Sequence, residues 1–378
     1  MDADILIATI LRHDRKVSSY KIALIRSLND ITLGYAHLGG KGTALAIPLR
    51  SLATFWVAYY WPFTSVNRPI MQGVQQGNKQ DISFRNSMTL LHQSWEKFIG
   101  GNSLPSDGFY LTSEFQSQHR RNNYPPDLIS CFNQAINDIS RSIQYPIRYA
   151  GPGQYSVFNP PETWENLNHN KNNIICIPGT HPRERCVVVD ANLWESFKNL
   201  SLWIEALCIH QWSLFTENIC KEDRGRVYKL LTARPENRRP LTWERNQVEI
   251  LMMEGKIFKC PWTGRKLYTN NYDLDHILPL SIYPINELWN LIPSDPQFNR
   301  NKKRDRLPSF SVLAKARPHF ENSYNQYTNS QSLLSVLKED SIQRFNGRVE
   351  IDNLPRSLAN CAIEFIEIFT SSRNVNTF

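Results

Sequence analysis

The stretch from Cys260 to Pro308 limits what this chain can fold into more than any other. It reads Cys260-Pro-Trp-Thr-Gly264, then Tyr272-Asp-Leu-Asp-His276-Ile-Leu-Pro279, then Asn286-Glu-Leu-Trp-Asn290-Leu-Ile-Pro293, then Phe298-Asn299-Arg-Asn-Lys-Lys303. On a strand, Leu274, His276 and Leu278 share one face while Asp275 and Ile277 take the other. A bend or short loop is therefore needed for Asp275 and His276 to converge on one ion. A β-hairpin holding both, followed by a short helix from near Pro296 with Asn299 in its first turns, gathers an acid, an imidazole and an amide around one pocket.

Hydrolysis of a phosphodiester needs an activated water, relief of charge on the phosphoryl oxygens and a stabilised leaving oxygen. His276 can be neutral at working pH and take a proton from water as general base, and in that role it is not a metal ligand. Asp275 and the side-chain oxygen of Asn299 are hard donors that suit one Mg²⁺ ion, with Mn²⁺ as its substitute. Asp273 reads as a strand-surface carboxylate rather than a further ligand.

With those residues in order, the segment 245–309 resembles the HNH endonuclease family, and in spacing it is most similar to Cas9-type HNH domains. The resemblance implies an embedded ββα-metal domain with Asp275 and Asn299 on the metal and His276 as base. It also implies that Asn290 braces the loop whose backbone carbonyl holds the His276 ring in the required tautomer. Asn299 stands where many family members have His, as in the Cas9-type domains, and keeps an oxygen ligand there. Many HNH domains carry two Cys-x-x-Cys pairs on a structural zinc. Cys260 has no partner nearer in sequence than Cys220 or Cys361, so no structural zinc is expected, and Trp262 and Trp289 are expected to form an apolar brace instead.

Arg300, Lys302, Lys303, Arg304 and Arg306 follow Asn299 directly, where a helix projects part of them toward a bound phosphate backbone. Lys303, one turn beyond Asn299, is foremost among them. Such contacts hold nucleic acid without reading its sequence. Residues 221–310 contain seventeen Lys and Arg against eleven Asp and Glu, so most of the chain's formal charge of +8 lies beside the motif. That charge steers polyanions toward it. DNA is the expected substrate, with RNA left open as a second.

The remainder reads as an α+β protein, mostly helical with a small β insertion, in four segments. Residues 1–142 form a helical recognition or scaffold region, because apolar residues recur three and four apart through Tyr20 to Leu28 and Leu49 to Tyr59. Residues 143–220 hold short β-branched runs at Ile174 to Ile177 and Cys186 to Val189, then a long amphipathic helix capped by Asp190 that carries Leu193, Trp194, Phe197, Leu200, Trp203, Ile204, Leu207, Trp212 and Phe215 on its core side. Residues 221–310 are the nuclease domain, entered through a basic, proline-containing link at Arg234–Pro240 and a helix from about Thr242 to Met253. Residues 311–378 return to helix.

Composition supports a folded chain, with 41% hydrophobic and 21% charged residues. The longest apolar stretch, Leu52 to Phe63, is too short to cross a bilayer and reads as a buried helix. The acidic start lacks the basic-then-apolar order of a secretion signal, and seven scattered cysteines make no disulfide framework. A cytoplasmic protein without a membrane partner is expected. Gly39 to Thr43 fails the phosphate-loop spacing and reads as a plain loop between helices. His119-Arg120-Arg121 reads as a solvated charge cluster, and no Gly-x-Ser-x-Gly elbow supports a serine hydrolase.

The function that fits is Mg²⁺-dependent hydrolysis of DNA in restriction or anti-phage defence, resembling such nucleases in organisation. Two alternatives stand beside it. One is an effector whose N-terminal region senses a partner protein or an activating small molecule. The other is a catalytically inactive nucleic-acid-binding subunit.

Overall fold

The three-and-four spacing of apolar residues folds as helices throughout, and its few failures come where a strand or a break re-phases the chain. In the computed structural model, the described residues are 2–39, 42–74, 81–170, 173–233, 241–280, 282–283, 286–345, 347–373 and 377–378. The link at Arg234–Pro240 lies outside them, as do Gly40 and Lys41 of the glycine-rich loop. The architecture is α+β and mostly helical, with one small four-stranded sheet and one two-stranded sheet among the described residues. Among the described residues no helix is long and apolar enough to cross a membrane.

Contacts divide the chain into two compact units, residues 1–234 and 235–378. The four segments read from sequence thus gather into two. In the first unit, α1 (Ala3–Arg12) and α2 (Tyr20–Gly34) lead to β1 (Ala44–Pro48) and α3 (Leu49–Tyr60). Next come α4 (Arg85–Ile99), α5 (Asp107–Gln116), the single turn α6 (Gln118–Arg121) and α7 (Pro126–Tyr149). After β2 (Glu162–Thr163), α8 (Trp164–Asn170), β3 (Ile174–Cys176) and β4 (Arg185–Val189), the unit closes with α9 (Ala191–Asn199), α10 (Ser201–Cys220) and α11 (Arg224–Leu231).

α7 runs straight through residue 142, so no boundary falls there. The glycine-rich loop leads into β1 and not into a helix. β1 is one of the two inner strands of the order β2-β4-β1-β3, parallel to β3 and antiparallel to β4. α11 packs on α10, which places residues 221–231 with the first unit rather than with the nuclease segment.

The core of this unit is aromatic. Trp56, Trp61, Trp212, Tyr60 and Phe63 are fully buried, and Phe63 stacks on Trp212 with centroids 6.0 Å apart. Each such ring removes a large apolar area from water, and favourable ring geometry adds about 0.5–1.5 kcal/mol per pair. Asp190 caps α9 through its Oδ1, which accepts from the Leu193 N–H at 2.9 Å. The long helix expected there breaks at Leu200 and restarts as α10. The break re-phases the stripe, so Trp194 and Trp212 are buried while Trp203 is 68% exposed. Arg120 is likewise buried rather than solvated.

The second unit holds α12 (Thr242–Met253), β5 (Asp273–His276), a 3₁₀ turn (Leu288–Asn290), β6 (Leu291–Ser294), the short α13 (Pro296–Phe298) and a π-helical turn (Asn299–Lys303). It closes with α14 (Phe310–Tyr327), α15 (Gln331–Phe345) and α16 (Leu354–Arg373). The last three helices share this unit with the strands instead of forming a separate segment. Tyr324 donates to the Trp289 carbonyl at 2.6 Å and Tyr327 to the Leu291 carbonyl at 2.8 Å. Trp289 lies fully buried with its ring edge-on to Phe345 and Phe365, while Trp262 packs edge-on to Phe320 and Phe378.

Candidate active site

β5 and β6 pair antiparallel, with Asp275 opposite Ile292 and His276 opposite Leu291. Alternation along β5 turns Leu274 and His276 inward and puts Asp273 and Asp275 on the other face, where the Asp275 side chain is still only 11% exposed. Asp295 then ends the hairpin. Its Oδ1 accepts from the N–H groups of Gln297 at 2.9 Å and Phe298 at 3.1 Å, capping the turn that Pro296 opens. That turn brings Asn299 back beside β5, where its Nδ2 donates to Asp273 Oδ2 at 3.3 Å.

Asn290, with no exposed surface, grips the chain immediately after His276. Its Oδ1 accepts from the Leu278 N–H at 2.8 Å, its Nδ2 donates to the Leu278 carbonyl at 3.1 Å, and its own carbonyl accepts from Ile277 at 2.8 Å. Removing the side chain orphans two buried backbone groups, each worth about 1–3 kcal/mol. We therefore expect Asn290→Ala to lower any hydrolytic turnover by about 10–100-fold through a displaced His276, checked by steady-state rates alongside the melting curve. The ring of His276, 8% exposed, contacts Asn286 Oδ1 through Nε2 at 3.0 Å. An amide oxygen only accepts, so Nε2 donates in this contact. Asn286 is thus a further motif residue in contact with the His276 ring.

Lys303 departs most from expectation. Rather than facing solvent, it is buried, with Nζ 3.0 Å from Asp275 Oδ1, 2.9 Å from Asp275 Oδ2 and 2.7 Å from the His276 carbonyl. The cause is the π-helical turn, in which the Arg304 N–H reaches back to the Asn299 carbonyl at 2.8 Å. The extra residue in its turn re-aims Lys303 at β5. Arg304 itself sits at φ 49° and ends the helix. Arg300, Lys302 and Arg304 remain exposed, Arg300 pairing with Asp273 at 3.1 Å.

Burial pushes the Asp275 carboxyl up to about 6, against the pull of Lys303 and with a smaller push from Asp273. Burial favours the neutral acid and the ammonium favours the carboxylate, so the sign is set by the first. A carboxyl-detected NMR titration of the metal-free protein should place the Asp275 midpoint near 6, and Lys303→Met should raise it further. A midpoint in the ordinary carboxylate range would contradict this.

Asp275, His276, Asn290 and Asn299 are thus brought onto one hairpin and the turn that follows it. Asp273, read as a bystander, touches both Asn299 and Arg300. The available donors are hard oxygens: the Asp275 carboxylate, the His276 carbonyl and the Asn299 amide. Among the described residues no group of three or more His, Cys, Asp or Glu stands together as a metal cage. All seven cysteines are free thiols.

Residues 260–309 match the family described as HNH endonuclease, so the hairpin and the turn after it lie in an HNH-family segment of the kind found in nucleases. No curated protein and no solved structure matches the chain. Residues 2–231 match the family described as a domain of unknown function, DUF8808; this match spans more than half of the sequence, and the chain belongs to that family.

Proposed function

We propose that the second unit is a metal-dependent endonuclease, a ββα-metal domain of the Cas9-type HNH pattern that hydrolyses phosphodiester bonds in DNA. The observation that carries this reading is the placement of Asp275 and His276 at adjacent positions of β5, with Asn299 in the turn beside that strand and Asn290 bracing the chain after His276, inside the residues matching the HNH endonuclease family.

The donor set fits a hard divalent cation. Three of its oxygens already attract the Lys303 ammonium, so the local potential suits positive charge. Asp275 and Asn299 would hold Mg²⁺, the amide turning its oxygen outward because its nitrogen serves Asp273. Such an ion, when bound, supplies charge relief at the phosphoryl and leaving oxygens. His276 takes the proton of the attacking water, and Asn286 on Nε2 orients the ring and steadies the imidazolium that forms. Asn290 keeps the chain beyond His276 from yielding. Arg300, Lys302 and Arg304 contact the phosphate backbone. Lys303, buried against Asp275, does not contact the phosphate backbone.

We assign the protein to cytoplasmic restriction or anti-phage defence. The test is incubation of the purified chain with supercoiled plasmid. Nicked or linear product should form with Mg²⁺ or Mn²⁺ and not with EDTA; plasmid left intact in every metal would refute the nuclease reading.

A further inference from the structure

The first unit contains a cavity of about 740 Å³, within the size range of small-molecule sites. It opens where the start of α2, the start of α4 and the end of α7 meet, and none of its residues belongs to the hairpin site. Most of its wall is apolar or aromatic. Tyr145 and Tyr149, four residues apart on one face of α7, are 59% and 43% exposed, and Val17 and Val74 are 48% and 42% exposed. Four large side chains left open around one hollow are more than a solvated surface requires.

The charges on the wall do not cancel. Asp81 is consumed by the wall itself, its Oδ1 accepting from the Gln72 N–H at 2.7 Å and its Oδ2 pairing with Arg85. Arg85 also donates to the Phe63 carbonyl at 2.6 Å and the Ile70 carbonyl at 2.9 Å. Asp14, just outside, is taken by Lys21 at 2.9 Å and by the Gly151 N–H at 2.7 Å. Two cations are left over. Arg15 is exposed and has no partner among the described residues. Lys16 is half-buried and donates only to the Asp14 carbonyl at 3.0 Å, and burial lowers its amine from the ordinary lysine value while Asp14 opposes the change. A charged amine held in that setting gains from an anion supplied by a ligand.

We propose that this cavity binds a nucleoside phosphate, the base against Tyr145 and Tyr149 and the phosphate on Arg15 and Lys16. Flat rings stack on exposed tyrosines and a phosphate takes up the two surplus charges, while the volume exceeds what a phosphate or a bare aryl acid fills. The inference concerns the DUF8808 part of the chain and does not depend on the nuclease reading, because its readout is binding.

The experiment is calorimetric titration of the full chain with AMP, GMP, ATP and GTP, each beside its phosphate-free nucleoside. At least one nucleotide should bind with a Kd below about 1 mM, its nucleoside about tenfold weaker or worse. Arg15→Ala and Tyr149→Ala should each weaken binding by about tenfold, roughly 1.4 kcal/mol by the cited constant, with unchanged melting curves, since both side chains are exposed. His276→Ala should bind as the wild type does. No nucleotide binding, equal binding of nucleoside and nucleotide, or binding indifferent to both cavity variants would each overturn the proposal.

Discussion

His276→Ala is expected to lower metal-dependent plasmid nicking by about 10²–10⁴-fold, the contribution of a positioned general base. The ring is held from both directions: Asn286 orients it, and Asn290 fixes the chain that follows it. Its replacement should therefore act on the chemical step, lowering kcat with little change in KM for DNA. Binding by Arg300, Lys302 and Arg304 should persist in the variant and weaken with salt, because exposed cations bind a polyanion by releasing its counterions. Single-turnover cleavage beside a filter-binding assay separates the two. A variant that nicks within threefold of wild type, on the order of 0.7 kcal/mol, would remove His276 from the role of base.

The second large effect concerns stability. Glu287 and Arg344 form a buried ion pair, Arg344 Nε standing 3.0 Å from Glu287 Oε2 with a second, closer contact between Nη2 and Oε1. Glu287 Oε2 also accepts from Trp289 Nε1, and Asp340 accepts from the Leu288 N–H at 2.6 Å. Arg344→Leu leaves a carboxylate uncompensated in the interior, at a cost of about 3–5 kcal/mol. For a unit of this size that lowers its melting transition by on the order of 10 °C. The double variant Glu287→Leu, Arg344→Leu should recover much of the loss, since paired charges removed together cost far less than one removed alone. Differential scanning calorimetry checks both. Glu287 lies three residues before Asn290, so the single variant should also slacken the brace on His276 and reduce turnover.

Much of this was legible in the residues because the relevant spacings are short. The helix at Leu49–Tyr60 follows apolar periodicity, and the strand bearing Asp275 and His276 and the turn bearing Asn299 fall within the motif. What escaped depended on geometry that spacing does not encode. Lys303 faces Asp275 because the turn after Asn299 is π-helical, and one wider turn changes which side chain looks inward. β1 was missed because Ala44-Leu-Ala-Ile-Pro48 has no alternation, both its faces being covered. Trp203 was misassigned because one residue, Leu200, interrupts an otherwise continuous helical pattern. The clamp of Tyr324, Tyr327, Asp340 and Arg344 on residues 287–291 joins positions 35 to 57 apart in sequence, and no local pattern announces it.

In the proposed reaction Asp275 and Asn299 hold a divalent cation beside His276. The most direct measurement is anomalous scattering from a crystal of the protein soaked in Mn²⁺. We expect a peak within coordination distance of an Asp275 carboxylate oxygen and the Asn299 amide oxygen, with the Lys303 ammonium moved off Asp275. A peak elsewhere in the chain, or Lys303 still seated on Asp275 at saturating Mn²⁺, would contradict it.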